Sequence, residues 1–316
     1  MQAESSAVRA WVLASIPSPD SGTIDVGPLT LHMYGLMLLL AIAVCVVLTG
    51  LRRTRRLLWR PDTDEARDPD WDLTLRTAVW GVGAGIVGAR LYHVATSWDE
   101  VPDPKWQGVF KVWEGGLGVW GGIALGALVG CLIVRRAGRS PWVMLDAAAP
   151  GLLLAHGIGR FGNWWNQELF GEPTDRPWAL EIDLENRPTD FLRFETFHPT
   201  FLYEFVYVTI AALLLLAIGR LFRFRPPALF ALYVALYTFG RFFEELLRVD
   251  PSHEFGGLRL NAWLSIVLFV ASVAFFIWWQ LLPRWRGRRR GRRRSERPTR
   301  RGPAMAIPRK RVRPSR

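Results

Sequence analysis

The chain is punctuated by apolar runs of about 20 residues, and this limits what it can fold into more than any other feature. A run of that length crosses a bilayer as helix. A water-soluble helix carries an apolar stripe, whereas these runs are apolar all round. Seven are predicted as spans, at roughly 33–51, 76–95, 117–134, 142–161, 201–221, 228–247 and 262–282. The expected fold is an all-α polytopic membrane protein with about seven transmembrane helices. "AWVLASI" is too short to span, and the first 27 residues lack the basic and long apolar regions of a cleaved signal peptide. In the second and third runs, Gly81–Gly85, Gly122–Gly126 and Gly126–Gly130 form small-xxx-small pairs that let helices approach closely.

Basic loops set the orientation. "RRTRRLLWR", "RRAGR", "RLFRFR" and the tail from Arg284 follow the first, third, fifth and seventh runs, so they share one side, predicted cytoplasmic. The N-terminus is then outside and the C-terminus inside. The tail carries sixteen Arg and Lys against one Glu, a surplus of +15. The preceding 283 residues therefore sum to −3 of the chain's +12, so the basic character belongs to an arm and not to the body. The expected division is an extracytoplasmic arm over 1–32, helices one to four over 33–162, and a small extracytoplasmic head with some strand over 163–200. Helices five to seven follow over 201–283, then a basic, disordered cytoplasmic tail over 284–316. Such a tail suits anionic inner-leaflet lipids. No nucleic-acid motif accompanies it, and no nucleic acid is expected as a partner.

On this topology the polar residues fall in register. His32 and Tyr34 open the first run at its outer end, and Arg90, Tyr92 and His93 close the second there. Trp120 starts the third, His156 and Arg160 close the fourth, and Tyr203 and Glu204 open the fifth. Tyr237, Arg241, Glu244 and Glu245 occupy the outer half of the sixth, and all five histidines lie at or beyond the outer boundary. Polar groups at membrane depth are expensive and usually functional. A polar cavity in the outer leaflet is implied.

Tyr237, Arg241, Glu245 and Arg248 share a helix face, and Arg241 can pair with Glu245 along it. One reading is a structural ion pair tying this helix to a neighbour. The other is an anion site, because Arg160 brings a second guanidinium to the same end, and the planar fork suits phosphate. Around Arg160, Gly157, Gly159 and Gly162 remove side chains and let a head group approach. Asn163 and Asn166 offer amides to hydroxyls, or act as helix caps. Glu168 can orient an arginine. "GIGRFG" and "GAGIVG" fit a dinucleotide fingerprint only literally, since they lie in membrane helices.

What is missing bears on the chemistry too. Cys45 and Cys131 fall inside apolar runs and read as buried packing residues. There is no G-x-S-x-G elbow and no histidine pairing of the kind zinc needs. No metal and no cofactor are expected. The cavity is suited to hold an anionic lipid head group while a nucleophile from elsewhere displaces it. A transporter or channel for an anionic solute is the alternative, but the seven runs do not divide into inverted halves. A membrane scaffold with a lipid- or RNA-binding tail leaves both arginines unexplained.

"GRFGNWWNQELFG" resembles the signature G-R-x-G-N-x-x-N-x-E-x-x-G of the bacterial prolipoprotein diacylglyceryl transferases. "HMYGL", "GAR", "VWEGGLGVWGG", "HPTFLYE" and "YTFGRFFEELLR" are similar to further blocks of that family, in the same order, over residues 27 to 282. The resemblance implies transfer of the diacylglyceryl group of phosphatidylglycerol to the lipobox cysteine thiol of a prolipoprotein. The products are a thioether and glycerol 1-phosphate. It implies the bacterial inner membrane as location, and prolipoprotein signal peptides with phosphatidylglycerol as partners. By motif, the critical residues are Tyr34, Arg160, Asn163, Glu168, Gly171, Tyr237 and Arg241, with Asn166 and Glu245 beside them on the substrate. The family usually carries a histidine, proposed as base, where this chain has Trp120. His156, one turn before Arg160, is the substitute candidate; the other reading is that the arginines need no dedicated base.

Overall fold

The computed structural model describes residues 15–27, 29–54, 71–112, 115–250 and 254–295, the last fifteen as backbone only. Among the described residues, seven long helices dominate. They are α1 (Met33–Thr54), α2 (Trp71–Thr96), α3 (Val119–Arg136), α4 (Pro141–Trp165), α5 (Thr200–Leu221), α6 (Ala228–Leu247) and α7 (Leu260–Ser295). Five of them are long and apolar enough to cross a membrane: α1, α3, α4, α5 and the Leu260–Gln280 part of α7. The chain is a mostly helical, multi-pass membrane protein. Charge sets the other two apart, with Asp72, Arg76 and Arg90 in α2 and Arg241, Glu244 and Glu245 in α6.

The fold is not purely helical. Among the described residues, three two-stranded antiparallel ribbons decorate it: β1 (Thr23–Val26) with β2 (Leu29–His32), β3 (Leu180–Glu181) with β4 (Thr196–Phe197), and β5 (Glu254–Phe255) with β6 (Leu258–Arg259). The backbone of α7 continues to Ser295, beyond Arg284, where the disordered tail was expected to start. The rest of that tail, the arm before Ser15, most of "RRTRRLLWR" and His253 lie outside the described residues. Cys45 and Cys131 are free thiols, but half-buried instead of fully buried.

Small residues decide how the helices meet. In apolar surroundings helices associate by close packing, because burying apolar surface gains little there. Along α2 and α3, a Cβ on Gly88 would stand 2.4 Å from the Gly121 carbonyl oxygen, and one on Gly126 2.9 Å from that of Gly81. Glycine at these positions lets the two backbones touch. Similarly α1 lies antiparallel along α4. At one end the Tyr34 ring fills the space over Gly162, and midway Gly151 meets the backbone of Cys45. At the other end the buried Arg52 guanidinium donates to the carbonyls of Asp146, at 2.8 Å, and Ala147, at 3.1 Å. Asp146 in turn accepts the Phe230 N–H at 2.8 Å, which fixes the first turn of α6. Val143, Ala147, Leu153, Val208, Leu215 and Leu229 fill the seam among α4, α5 and α6.

Between α4 and α5 the chain leaves the bundle. Phe170, Leu180, Ile182, Phe197 and Phe201 form a second core there. Ile16 pairs with Leu180, so the N-terminal segment joins this unit. The turn out of α4 passes through Gln167 and Leu169, both left-handed at φ 50° and 59°. Such angles are uncommon for residues with a Cβ. Gln167 is buried and held there by its side chain: its amide nitrogen donates to the Pro19 carbonyl at 3.1 Å and its oxygen accepts the Asp183 N–H at 2.8 Å.

Candidate functional site

One end of the bundle gathers the polar residues. Arg160 comes from the last turns of α4, Glu204 from the second turn of α5, and Tyr237, Arg241, Glu244 and Glu245 from the middle and end of α6. Arg160 Nε lies 2.6 Å from Glu204 Oε2, and its Nη2 lies 3.4 Å from Glu244 Oε1. Arg241 Nη1 lies 2.8 Å from Glu244 Oε2 and 3.7 Å from Glu204 Oε2. Both guanidinium groups thus meet the same two carboxylates. Arg241 also pairs with Glu245, as the helical spacing predicted. The helix stops at Leu247, and Arg248, its C-cap, pairs with Glu245 at 3.2 Å, in line with the shared face, and with Asp250 at 2.7 Å.

Glu245 is 1% exposed, and a third cation, Arg259 of β6, reaches it at 3.4 Å. Its surroundings are the arginines and not an open cavity. Arg259 also pairs with Asp250 at 2.9 Å. Burial alone would raise the Asp250 carboxyl, but the Arg248 hydrogen bonds and the charges of Arg248 and Arg259 hold it below the usual carboxylate range.

A polar chain extends from Arg160. Arg160 donates to the Asn163 side-chain oxygen at 3.4 Å, and Asn163 donates to Glu168 at 2.7 Å. Asn166, at the C-cap of α4, reaches the same Glu168 oxygen at 3.4 Å. Tyr34 stands beside Arg160, Asn163 and Glu168, placed there by its packing on Gly162. Gly171 serves the frame. A Cβ there would lie 2.8 Å from that of His198 and 3.1 Å from the Leu247 carbonyl oxygen, where the chain pairs with Arg248.

Beside the ion cluster lies a cavity of about 240 Å³ between α5 and α6. Glu204, Arg241 and Glu244 line it together with Tyr207, Phe239 and Phe243. Phe239 and Phe243 are about half exposed on the apolar flank of α6. The cavity therefore joins a charged floor to an exposed apolar surface.

His156 lies behind the cluster. Its Nε2 and the Tyr233 hydroxyl are 2.9 Å apart, and its ring stacks on Tyr237 at 4.2 Å. Trp120 is half exposed on α3, while the cluster's ion pairs run among α4, α5, α6 and β6. Arg90 does a different job: it is buried, and its guanidinium donates to the carbonyls of Gly108, Val109, Gly115 and Gly116, tying down the α2–α3 connection. His198 shares the Tyr203 hydroxyl with Trp178.

Sequence reasoning put Glu204 and Glu244 at this end of the bundle but not in the site, because helical spacing shows only pairs along one helix. Gln167, Asp250 and Arg259 were missed entirely. They sit in turns and ribbons where no periodicity marks which face is inward.

Comparisons with known proteins agree with the motif blocks. The prolipoprotein diacylglyceryl transferase family matches residues 22–278. A phosphatidylglycerol–prolipoprotein diacylglyceryl transferase of Frankia alni is 47% identical over 269 residues, covering 83% of this chain and 67% of the relative. One of Cutibacterium acnes is 44% identical over 265 residues, covering 83% of this chain and 86% of the relative. A third, numbered 2 in Streptomyces coelicolor, is 47% identical over 266 residues, covering 83% and 80%. With matches of this extent, the chain belongs to the prolipoprotein diacylglyceryl transferase family.

Proposed function

We propose that this chain transfers the diacylglyceryl group of phosphatidylglycerol to a prolipoprotein, at the cysteine thiol of its lipobox. The single observation that carries the reading is the convergence of Arg160 and Arg241 from different helices beside a cavity with an apolar mouth. The thiol belongs to the substrate, so no nucleophile is required of the protein. At neutral pH only a few per cent of a free thiol is ionised, given a pKa near 8.5. Positive charge favours the thiolate and stabilises the charge that builds on the departing phosphate, usually the dominant catalytic effect. The lipid's acyl chains lie along Phe239 and Phe243, and its phosphate meets the guanidinium groups.

In this reading Arg160 and Arg241 are catalytic, and Glu245 orients Arg241 from behind. Tyr34, Asn163, Asn166, Glu168 and Tyr237 position the head group. His156 holds Tyr237 by stacking. Gly171 keeps the Glu168 turn against the end of α6. All seven helices cross the bacterial inner membrane, including the charged α2 and α6: Arg241, Glu244 and Glu245 belong to the site, Arg90 ties a loop, and Asp72 and Arg76 pair with each other at the exposed start of α2. The N-terminus and the 166–199 unit stand outside as a head, and the basic tail binds anionic lipid on the cytoplasmic side.

The test is direct. Purified protein is incubated with phosphatidylglycerol labelled in the glycerol carbons that carry its acyl chains, and with a lipobox peptide. Label is expected on the peptide's cysteine through an alkali-stable thioether. Peptide left unlabelled by well-folded protein would overturn the reading.

A further inference from the structure

This inference rests on the transfer reaction proposed above. In that reaction a sulfur–carbon bond forms and the carbon–oxygen bond to phosphate breaks. The thiol also loses a proton, which must be accepted. Trp120 has no basic atom to offer. His156 Nε2 is engaged with Tyr233, and its ring is covered by Tyr237. Glu168 accepts from Asn163 and Asn166, and Glu245 is enclosed by Arg241, Arg248 and Arg259.

Glu204 and Glu244 differ from these. Both line the cavity, and both are more than nine-tenths buried. Glu204 Oε2 and both oxygens of Glu244 are ion-paired to Arg160 and Arg241, and Arg241 also hydrogen-bonds Glu244. Among the described residues, no donor is in hydrogen-bonding geometry to Glu204 Oε1 and no ion pair reaches it. The two carboxyls are also within hydrogen-bonding reach of each other. A proton between them would relieve their mutual repulsion. The charged and titratable groups that face the pair are Arg160 and His156 of α4 and Tyr237, Arg241 and Glu245 of α6.

We propose that Glu204 and Glu244 together are the proton acceptor of the reaction. The sulfur attacks the glyceryl carbon, and its proton moves to an oxygen of this pair. The phosphodiester leaves as a monoester and gains one negative charge. The pair loses one in the same step, so the net charge around Arg160 and Arg241 stays constant. In a weakly screened site that avoids a large Coulomb cost. The proton then passes to the departing monoester or to water.

Full-length Glu204→Gln and Glu244→Gln proteins are compared with the wild type on two lipobox peptides, one with cysteine and one with selenocysteine. A selenol is ionised at neutral pH and needs no base. With the cysteine peptide each variant is expected to lower kcat by about 10²-fold, the usual scale for losing a general base. The KM for phosphatidylglycerol should not rise, because the arginines have lost a competing charge. With the selenocysteine peptide most of the rate should return, as it should when the pH is raised through the thiol pKa near 8.5. Equal losses on both peptides would make the carboxyls merely structural and overturn the proposal. So would wild-type turnover in the double variant. Should the Gln variants fail to accumulate, Glu244→Asp keeps a basic oxygen and is expected to stay within about tenfold of wild type; a 10²-fold loss there that selenocysteine does not rescue would also overturn it. The wild-type control is separate: if it labels neither peptide, it is the transfer reading that has failed.

Discussion

The bundle buries arginine at both ends, and the two ends use it differently. At one end Arg52 donates to backbone carbonyls of α4, and Asp146 accepts a backbone N–H of α6. At the other end Arg160 and Arg241 meet mainly side-chain carboxylates. Backbone partners are fixed by the helices that carry them, so the Arg52 end is a clasp. Side-chain partners can rearrange or take up a proton, so the Arg160 end can admit an anion. Burial of charge is common to both; the kind of partner separates a structural arginine from a working one.

The comparison breaks most visibly if the arginines are exchanged for lysine. Arg160→Lys and Arg241→Lys are expected to reduce turnover by about 10²-fold or more, since the charge remains but the planar fork is lost. Their yield and thermal stability should match the wild type, and near-normal turnover in both would end the phosphate-clamp reading. Arg52→Met should do the reverse. It leaves the buried carbonyls of Asp146 and Ala147 without that donor, and a buried polar group left unsatisfied costs about 1–3 kcal/mol. Thermal unfolding in detergent should come at lower temperature, while turnover per folded molecule stays unchanged. A selective loss of turnover would mean that the Arg52 end also takes part in catalysis.

A smaller effect sharpens the Arg160 half of the comparison. Gly162→Ala would place a Cβ 2.5 Å from the Tyr34 ring, which must then shift away from Asn163 and Glu168. Turnover is expected to fall by about tenfold, given how steeply rate depends on placement. Pairing it with Tyr34→Ala should add no further loss; fully additive losses would show that Gly162 acts through something else.

The smallest effect concerns His198, outside the bundle. Burial and the neighbouring Arg176 lower its pKa below the ordinary histidine value, with Glu172 opposing. The folded state therefore favours neutral imidazole, and the unfolded chain binds the proton more readily. Its contribution is complete above the ordinary pKa near 6.5 and is lost as pH falls below that value. Unfolding followed between pH 5 and 8 should show a slight loss of stability on the acid side that His198→Gln removes.

Much of the architecture could be read directly because a bilayer imposes its own ruler. The range expected for α6, 228–247, is the one found, since Pro226 and Pro227 precede it and polar Arg248 follows. The pairing of Arg241 with Glu245 was legible for a similar reason, because both lie on one helix. Which acid meets Arg160 was not. Glu204 and Glu244 come from other helices, and only the packing of α4 against α5 and α6 brings them together. Arg259 escaped notice because it sits on a two-residue strand, too short to show a pattern. The end of α7 was misjudged because arginine-rich sequence reads equally well as solvated coil and as exposed helix.

Arg160 also has a history within each molecule's synthesis. The ribosome makes α4 first, and Glu204 and Glu244, which neutralise Arg160, emerge afterwards on α5 and α6. A lone arginine at the centre of an inserting helix is disfavoured by about 2.5–3.5 kcal/mol, less near an end. The fourth helix is therefore a poor passenger on its own, and its stable insertion waits for the next two. Helices four to six should leave the translocon as a group, and a chain stopped before Thr200 should be degraded faster in pulse-chase than one stopped after Leu247. Equal lifetimes would show that Arg160 finds another partner on the way.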